Sequence, residues 1–376
     1  MTRGNKIKLV QIIADSKIGG GSSHILGVLR NIDKEKFDCY LICPKGFLSN
    51  EAEKISGLKI FNIEMKSKFE FTSIFQLKKK ILEIRSGNNP FGPMIVHSHG
   101  PRAGLLSRFA LPLGVKSVYT EHIYDETYRL KNPINNAVQK FFLRRQNLNT
   151  DLIIAVSNSV KKALVNHELA LPDQIIVIPN GVDVDEFKPL KSPAQKYNHP
   201  VIGSVGRLSP IKGFEYLIAA MPYIKKKFPL ASLEIIGSGS ERRKLAGKIK
   251  ELKLEHNVAL LGSRKEAFKY AKHWSVFVIP SVSEPFGIVA LEAMASGIPI
   301  VASKTGGLQD IITNMKNGLL VEPRNSKALA DAILEILSNL AFASKLKKDG
   351  LVRVKDFDWK KVVKELEKAY FALFVE

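Results

Sequence analysis

Short apolar, β-branched runs alternate along this chain with longer stretches whose apolar residues recur at helical spacing. In the first half the strand-like runs are KIKLVQIIA, FDCYLICP, LKIFNIE, PMIVHSHG, KSVYTEH and TDLIIAVS. KIGGGSSHILGVLRNI passes from a glycine-rich turn into a helical pattern, and further helical patterns cover 74–85, 102–111, 133–146 and 160–167. Such alternation predicts βαβ units on a parallel sheet. The stretch IPNGVDVDEFKPLKSPAQKYNHP breaks it with a P-N-G turn and with Pro189, Pro193 and Pro200, and reads as a domain junction. The alternation then restarts, with strands in VIGSVGRL, ASLEIIGSG, VALLGS, SVFVIPS, IPIVASKTG and LVEP. Helices are expected in GFEYLIAAMPYIKKKF and SERRKLAGKIKELK and over 286–295, 327–338 and 359–374. The expected organisation is a first α/β domain at 1–188, a linker at 189–200 and a second α/β domain from 201.

Length agrees: 376 residues suit two domains at about 100–200 residues each. No apolar run is long enough to span a membrane. The first apolar run lacks the features of a signal peptide and reads as a strand, so the expected location is cytoplasmic. Cys39 and Cys43 fit no zinc spacing and lie in a strand-like run, where core packing is expected. The charge changes the picture more. Lys and Arg number 57 against 36 acids, for a net charge of +21 and a pI near 9.7. The excess is spread over both halves and favours anionic partners: phosphorylated substrates, anionic lipid or nucleic acid.

Four groups of residues carry candidate chemistry. Gly19, Gly20 and Gly21 lie between a strand and a helix, where backbone can approach a ligand or simply turn tightly. Arg207 and Lys212 follow a strand, at the carboxyl edge where parallel sheets bind ligands, and together can neutralise a diphosphate. In PSVSEPFGIVALEAMASGIPIVAS, Ser281 or Ser283 is expected to cap a helix with Pro285 in its first turn. The amides of Phe286, Gly287, Ile288 and Val289 would then face an anion. Glu284 and Glu292, eight residues and roughly 12 Å apart, would meet a sugar and a ribose. Finally, His97, His99 and His122 fall at the ends of successive strands, as proton carriers, phosphate ligands or hydrogen-bonded structural imidazoles. The D-x-D strings at Asp183–Asp185 and Asp356–Asp358 follow a turn and precede a helix, so they read as caps rather than a metal site.

The combination resembles the retaining glycosyltransferases of family 4, which have the GT-B fold. The matching strings include VHSHG, IPNGVDVDEF, VGRLSPIKGFEYLIAAM, LEIIGSGSERRKL, PSVSEPFGIVALEAMASGIPIVAS, GGLQDII and NGLLVEP, tightest over 200–323. The resemblance implies two Rossmann-like α/β domains with parallel sheets facing across a cleft. It implies that 201–356 binds the nucleotide sugar and that a C-terminal helix at 357–376 returns to the first domain, anchored by Trp359 and Tyr370. It implies that Arg207 and Lys212 clamp the donor diphosphate, Glu284 contacts the sugar and Glu292 the ribose. The amides of Phe286, Gly287 and Ile288 would serve sugar and phosphate. Gly20 and Gly21 would line the diphosphate, His99 would face the transferred sugar, and Ser263 and Arg264 would lie near the base. His122 and His97 fall on the acceptor or sugar side. No cofactor and no metal are expected; the nucleotide sugar is a substrate. The chain departs from the family where Ser22, Ser23 and His24 follow the first glycines and Gln309-Asp310 follow the later pair.

Two further segments mix basic and aromatic residues. Lys66, Lys68 and Lys78–Lys80 accompany Phe69, Phe71 and Phe75, and Lys140, Arg144 and Arg145 accompany Phe141 and Phe142. They read either as a membrane-surface contact or as core aromatics beside solvated lysines. The expected function is hexosyl transfer to a sugar or lipid-linked acceptor at the cytoplasmic face of the inner membrane, in bacterial surface polysaccharide synthesis (lipopolysaccharide, capsule or O-antigen). The alternatives are a GT-B-fold sugar-nucleotide epimerase and a non-catalytic basic nucleic-acid binder. No nucleic-acid recognition motif supports the latter, and no nucleic-acid partner is expected. A nicotinamide dehydrogenase is disfavoured, since no G-x-G-x-x-G is followed by an acid.

Overall fold

The structure, a computed structural model, describes residues 6–67, 70–87, 89–124, 133–187, 199–264 and 267–375. Most of the expected linker, with Pro189 and Pro193, lies outside the described residues, as do Lys68 and Phe69. The chain forms two compact units, Met1–Gly181 with Trp359–Glu376, and Val182–Asp358. The crossing falls earlier than the expected boundary at 188. Its physical reason is a pairing of the two crossing segments: Val182 bridges Asp358, and its N–H donates to Phe357 O at 2.9 Å.

The first unit runs β1 (Ile7–Ile13), α1 (Gly20–Asn31), β2 (Phe37–Cys43), α2 (Phe47–Ala52), β3 (Lys59–Asn62), α3 (Phe71–Ser86) and β4 (Met94–His99). It continues with α4 (Gly100–Ala110), β5 (Lys116–Glu121), α5 (Pro133–Asn147), β6 (Leu152–Ala155), α6 (Asn158–Asn166) and β7 (Ile175–Val177). The seven strands lie in the order β3-β2-β1-β4-β5-β6-β7, all pairs parallel. Every residue of β1 is buried, as expected of a strand covered on both faces. Cys39 and Cys43 are free and buried in this core; burial pushes the Cys43 thiol up to about 12.

The second unit contains β8 (Val201–Val205), α7 (Phe214–Lys227), β9 (Ser232–Ile236), α8 (Arg242–Glu251), β10 (Val258–Gly262) and β11 (Val276–Ile279). Then follow α9 (Ile288–Ala295), β12 (Ile300–Ser303), α10 (Leu308–Ile311), β13 (Leu319–Val321), α11 (Ser326–Ser338) and α12 (Leu340–Arg353). Its six parallel strands take the order β10-β9-β8-β11-β12-β13. Both sheets reverse direction once, between β1 and β4 and between β8 and β11. Such switch points open a crevice at the carboxyl ends of the strands.

The last helix, α13 (Trp359–Ala372), belongs to the first unit. Trp359, Val362, Val363, Leu366 and Tyr370 form its buried stripe, each aliphatic side chain contributing about 1.5–3 kcal/mol on burial. The indole lies where glycines leave room: a Cβ on Gly27 would come within 2.0 Å of it, and one on Gly181 within 2.5 Å. α2, β7 and α12 carry too little periodicity to be seen in the sequence; α12 buries only Leu346 and Gly350.

Candidate functional site

The second unit gathers its chemistry at the switch point. The loops after its strands are joined by backbone hydrogen bonds: Gly206 N–H to Ile236 O at 3.0 Å, Leu208 N–H to Ser238 O at 2.9 Å and Gly237 N–H to Gly262 O at 2.9 Å. The turn that carries Lys212 is tied to the loop after β11 by Val282 N–H donating to Ile211 O at 2.8 Å. Across this junction the Lys212 ammonium meets Glu284 Oε2 at 2.5 Å, and Ser281 Oγ donates to the same oxygen at 3.1 Å. Glu284 is buried and Lys212 half-buried, so the ion pair holds two charges of opposite sign ready at the crevice. Arg207, on the β8 loop, is exposed and makes no ion pair among the described residues.

Glu284 is fixed from behind as well. Gly307 N–H donates to its carbonyl at 2.9 Å. Gly306 has a left-handed backbone with φ of 51°, and a Cβ there would stand 2.0 Å from that carbonyl oxygen. Gly287 ends the loop at φ 104° and caps α9, with no side-chain cap. The helix thus begins at Ile288, later than expected. Ser281 does not cap it, because its hydroxyl is spent on Glu284, and Pro285 precedes rather than enters the first turn. Phe286 turns its ring into the unit, 6.1 Å from Phe357. Glu292 is half-buried on α9, and its carboxyl has no hydrogen-bond partner among the described residues. Burial, and secondarily the nearby charge of Glu186, pushes its carboxyl up to about 7. Ser263 and Arg264 are exposed at the end of β10, with the Arg264 guanidinium 5.5 Å above the Tyr270 ring. Asp183 is a turn cap, accepting from the N–H groups of Asp185 and Glu186.

The first unit gathers imidazoles at its own switch point. Gly20 opens α1 without a side-chain cap, and Gly21 packs close to Ile13. His97 is fully buried: Tyr370 Oη lies 2.6 Å from its Nδ1 and Thr120 Oγ1 2.6 Å from its Nε2. With both ring nitrogens engaged by protein, it has none left for an acceptor. His99 Nε2 donates to Gln11 Oε1 at 2.5 Å, which leaves Nδ1 as a lone pair facing His122 Nε2 at 3.1 Å. Gln11 Nε2 donates in turn to Tyr370 Oη at 3.3 Å. His24, noted in the sequence only as a family departure, joins them: its Nδ1 donates to Asn180 Oδ1 at 2.8 Å. Its Nε2 is buried without a partner, a burden of about 1–3 kcal/mol for a polar group left unpaired.

Burial keeps these rings neutral. It brings His24 down to about 4, against a small opposing pull from Asn180. His97, His99 and His122 are all held well below the usual imidazole range, by burial first and by neighbouring imidazoles second. The sequence-derived residues therefore fall into two groups: Arg207, Lys212, Ser263, Arg264, Glu284, Phe286, Gly287, Ile288 and Glu292 in one unit, and Gly20, Gly21, His97, His99 and His122 in the other. Gln11 and Thr120 carry no local motif, and Asn180 sits in a P-N-G turn that reads only as a junction. Ser281 was expected as a helix cap rather than as a partner of Glu284, and Gly306 only as part of a glycine pair.

Two parallel α/β units, each with a polar cluster at its switch point, define a Rossmann-like class of enzyme architecture. The glycosyl transferases group 1 model matches residues 185–352, and the glycosyltransferase family 4 model matches residues 18–186. An uncharacterized glycosyltransferase of Methanocaldococcus jannaschii is 30% identical over 94% of this chain and 94% of its own length. A second from the same organism is 38% identical over 58% of this chain and 59% of its own length. A crystal structure of Anabaena Alr3699/HepE in complex with UDP and glucose superposes with a TM-score of 0.82 at 20% identity, over 97% of this chain and 99% of that one. The chain belongs to the family 4 glycosyltransferases of GT-B fold and is a glycosyltransferase enzyme.

Proposed function

We propose that the enzyme moves a hexosyl group from a nucleotide-diphosphate sugar to a sugar or lipid-linked acceptor with retention of anomeric configuration, in the assembly of a surface polysaccharide such as lipopolysaccharide, capsule or O-antigen. The observation that carries the reading is the Lys212–Glu284 pair at the switch point, with Arg207 on the adjoining loop and Glu292 one turn into α9. In this reading Arg207 and Lys212 balance the diphosphate and stabilise it as it leaves. Glu284 accepts hydrogen bonds from sugar hydroxyls once Lys212 turns to phosphate, and Glu292 accepts from the ribose. No metal is required for the transfer. His99 contributes shape rather than positive charge, since its ring stays neutral.

Two observations favour work at a membrane surface. Phe71 and Phe75, one turn apart on α3, are 82% and 71% exposed, beside Lys78 and Lys79. Phe141, on α5 with Arg144 and Arg145, is 64% exposed. No helix among the described residues is long and apolar enough to cross a membrane, so contact would be peripheral.

The test begins with thermal shift against UDP-, GDP- and ADP-sugars, because a ligand that binds only the folded state raises apparent stability. UDP-glucose is the first choice, given the ligands of the Anabaena structure. Nuclear magnetic resonance of the product with the best donor then reads the anomeric outcome; an inverted linkage refutes the retaining assignment. Epimerised donor formed without acceptor would favour the epimerase reading. Flotation with anionic and neutral vesicles at low and high salt tests the surface, and equal binding to both removes it.

A further inference from the structure

We propose that His24, His99 and His122 form a binding site for a divalent transition-metal cation of the zinc class. One ring nitrogen from each lies within 4.8 Å of one from each of the others. The hydrogen bonds say which nitrogens these are. Asn180 Oδ1 can only accept, so His24 carries its hydrogen on Nδ1 and presents a lone pair on Nε2. That Nε2 is the one with no partner in the protein, on a residue only 1% exposed. Gln11 Oε1 likewise can only accept, so His99 carries its hydrogen on Nε2 and presents Nδ1. His122 completes the set with Nε2, 3.1 Å from His99 Nδ1.

These distances suit a cation. A bond of about 2.0–2.1 Å from zinc to each nitrogen sets tetrahedral ligands about 3.4 Å apart. The His99–His122 edge, at 3.1 Å, is already close to that, and the other two edges, within 4.8 Å, close by at most about 1.4 Å. Ligation asks His122 to carry its hydrogen on Nδ1, a change of tautomer that releases no net proton. Burial leaves the imidazoles neutral, the form that binds metal. An all-imidazole set suits zinc, copper, nickel or iron, and not magnesium or calcium, which take oxygen ligands.

The surroundings match those of metal-bound histidines, whose second ring nitrogen donates to a fixed oxygen. Asn180 supplies that oxygen for His24. Gln11 does so for His99, and is itself held by Tyr370 from α13, which bonds His97 and through it Thr120. His24 and His99 are buried while His122 is half-buried, so the fourth position would lie on the His122 side, toward solvent. The cation would tie α1, the end of β4 and the end of β5 together. The cation is assigned no part in glycosyl transfer; the site shares His99 and His122 with that reading, and its test reads metal uptake rather than turnover.

The test uses full-length protein freed of metal by a chelator and titrated with Zn²⁺ in competition with a chromophoric chelator. One Zn²⁺ per chain is expected, with a rise in melting temperature and no uptake of Mg²⁺. Co²⁺ should give the visible absorption of a four-coordinate site. His122→Ala, at the rim, should weaken Zn²⁺ by about a hundredfold or more, and Asn180→Ala, which frees the His24 ring, by about 10–100-fold. His24→Asn should abolish stoichiometric uptake, and His256→Ala, exposed in the other unit, should bind as the parent does. Uptake below one Zn²⁺ per chain in the parent overturns the proposal. So does a His122→Ala protein that melts normally without metal and keeps the parent's affinity; that variant decides the matter if His24→Asn fails to fold.

Discussion

The two units share an architecture and a switch point, yet they fill it with opposite electrostatics. In the second unit the crevice holds charge: Lys212 against Glu284, with Arg207 exposed nearby. In the first it holds four neutral imidazoles joined through Gln11, Tyr370, Thr120 and Asn180. One sheet thus presents fixed charges suited to a diphosphate, and the other a desolvated polar surface on which charge is suppressed. The same backbone solution accommodates both, because the strand ends fix only where side chains converge, not what they are.

The sharpest way to break the contrast is to remove a charge from the second unit. Lys212→Ala should lower turnover by about 10²–10³-fold, the range seen when one preorganised donor to a developing charge is lost. It should also lower the stability of that unit, because the buried Glu284 carboxylate then keeps, among the described residues, Ser281 alone. Glu284→Gln should lose comparable turnover with less change in melting temperature, since no buried charge is left unpaired. Near-normal turnover in both variants would remove these residues from the site.

A smaller effect is expected from the backbone behind the pair. Gly306→Ala places a Cβ 2.0 Å from the Glu284 carbonyl oxygen, at a φ of 51°. The left-handed conformation alone costs about 1–3 kcal/mol in a non-glycine residue, and relieving the clash must move Glu284. Both melting temperature and turnover should fall. Loss of stability with unchanged turnover would show that the backbone of Glu284 has freedom to shift.

The two units are unevenly legible in the amino-acid sequence. The alternation of apolar runs exposed nearly every strand and long helix, because buried parallel strands and amphipathic helices leave periodic traces. It failed at β7, which spans only Ile175–Val177, and at α12, whose buried face is nearly absent. The polar cluster of the second unit was legible because Arg207, Lys212, Glu284 and Glu292 sit in contiguous strings with a chemical rationale. The imidazole cluster was legible only in part. His97, His99 and His122 end successive strands, but His24 lies on α1, and Asn180 and Tyr370 come from distant chain positions. Long-range polar networks leave no periodic trace. The start of α9 was misplaced for a related reason: Ser281 could cap a helix or bond Glu284, and only the fold decides.

Acid should separate the units next. A buried imidazole held below its unfolded value, about 6.5, adds stability above that value and loses it as pH falls toward the folded one, because the unfolded chain then binds protons the fold refuses. With His24 near 4, the first unit should weaken progressively from about pH 6.5 down to about pH 4. Hydrogen exchange of α1 peptides, in the presence of chelator, should accelerate over this window before that of α9 peptides. Simultaneous acceleration would mean that the imidazoles are not kept neutral by the fold.

Glu292 should give the smallest and opposite response. Its folded carboxyl lies near 7, above an unfolded value of about 4.3. The folded unit therefore holds the proton longer than the unfolded chain, and stability falls as pH rises through the window from about 4.5 to about 7, then levels off. Glu292→Gln cannot ionise, so its melting temperature relative to the parent should climb across that window and reach its full advantage above pH 7. A saturating nucleotide sharpens the test. Ribose hydroxyls donating to the carboxylate favour its charged form and draw the carboxyl downward, so the parent's step should move to lower pH while the variant stays flat. A step that stays in place with nucleotide bound would detach Glu292 from the ribose and leave it a half-buried acid of the second unit.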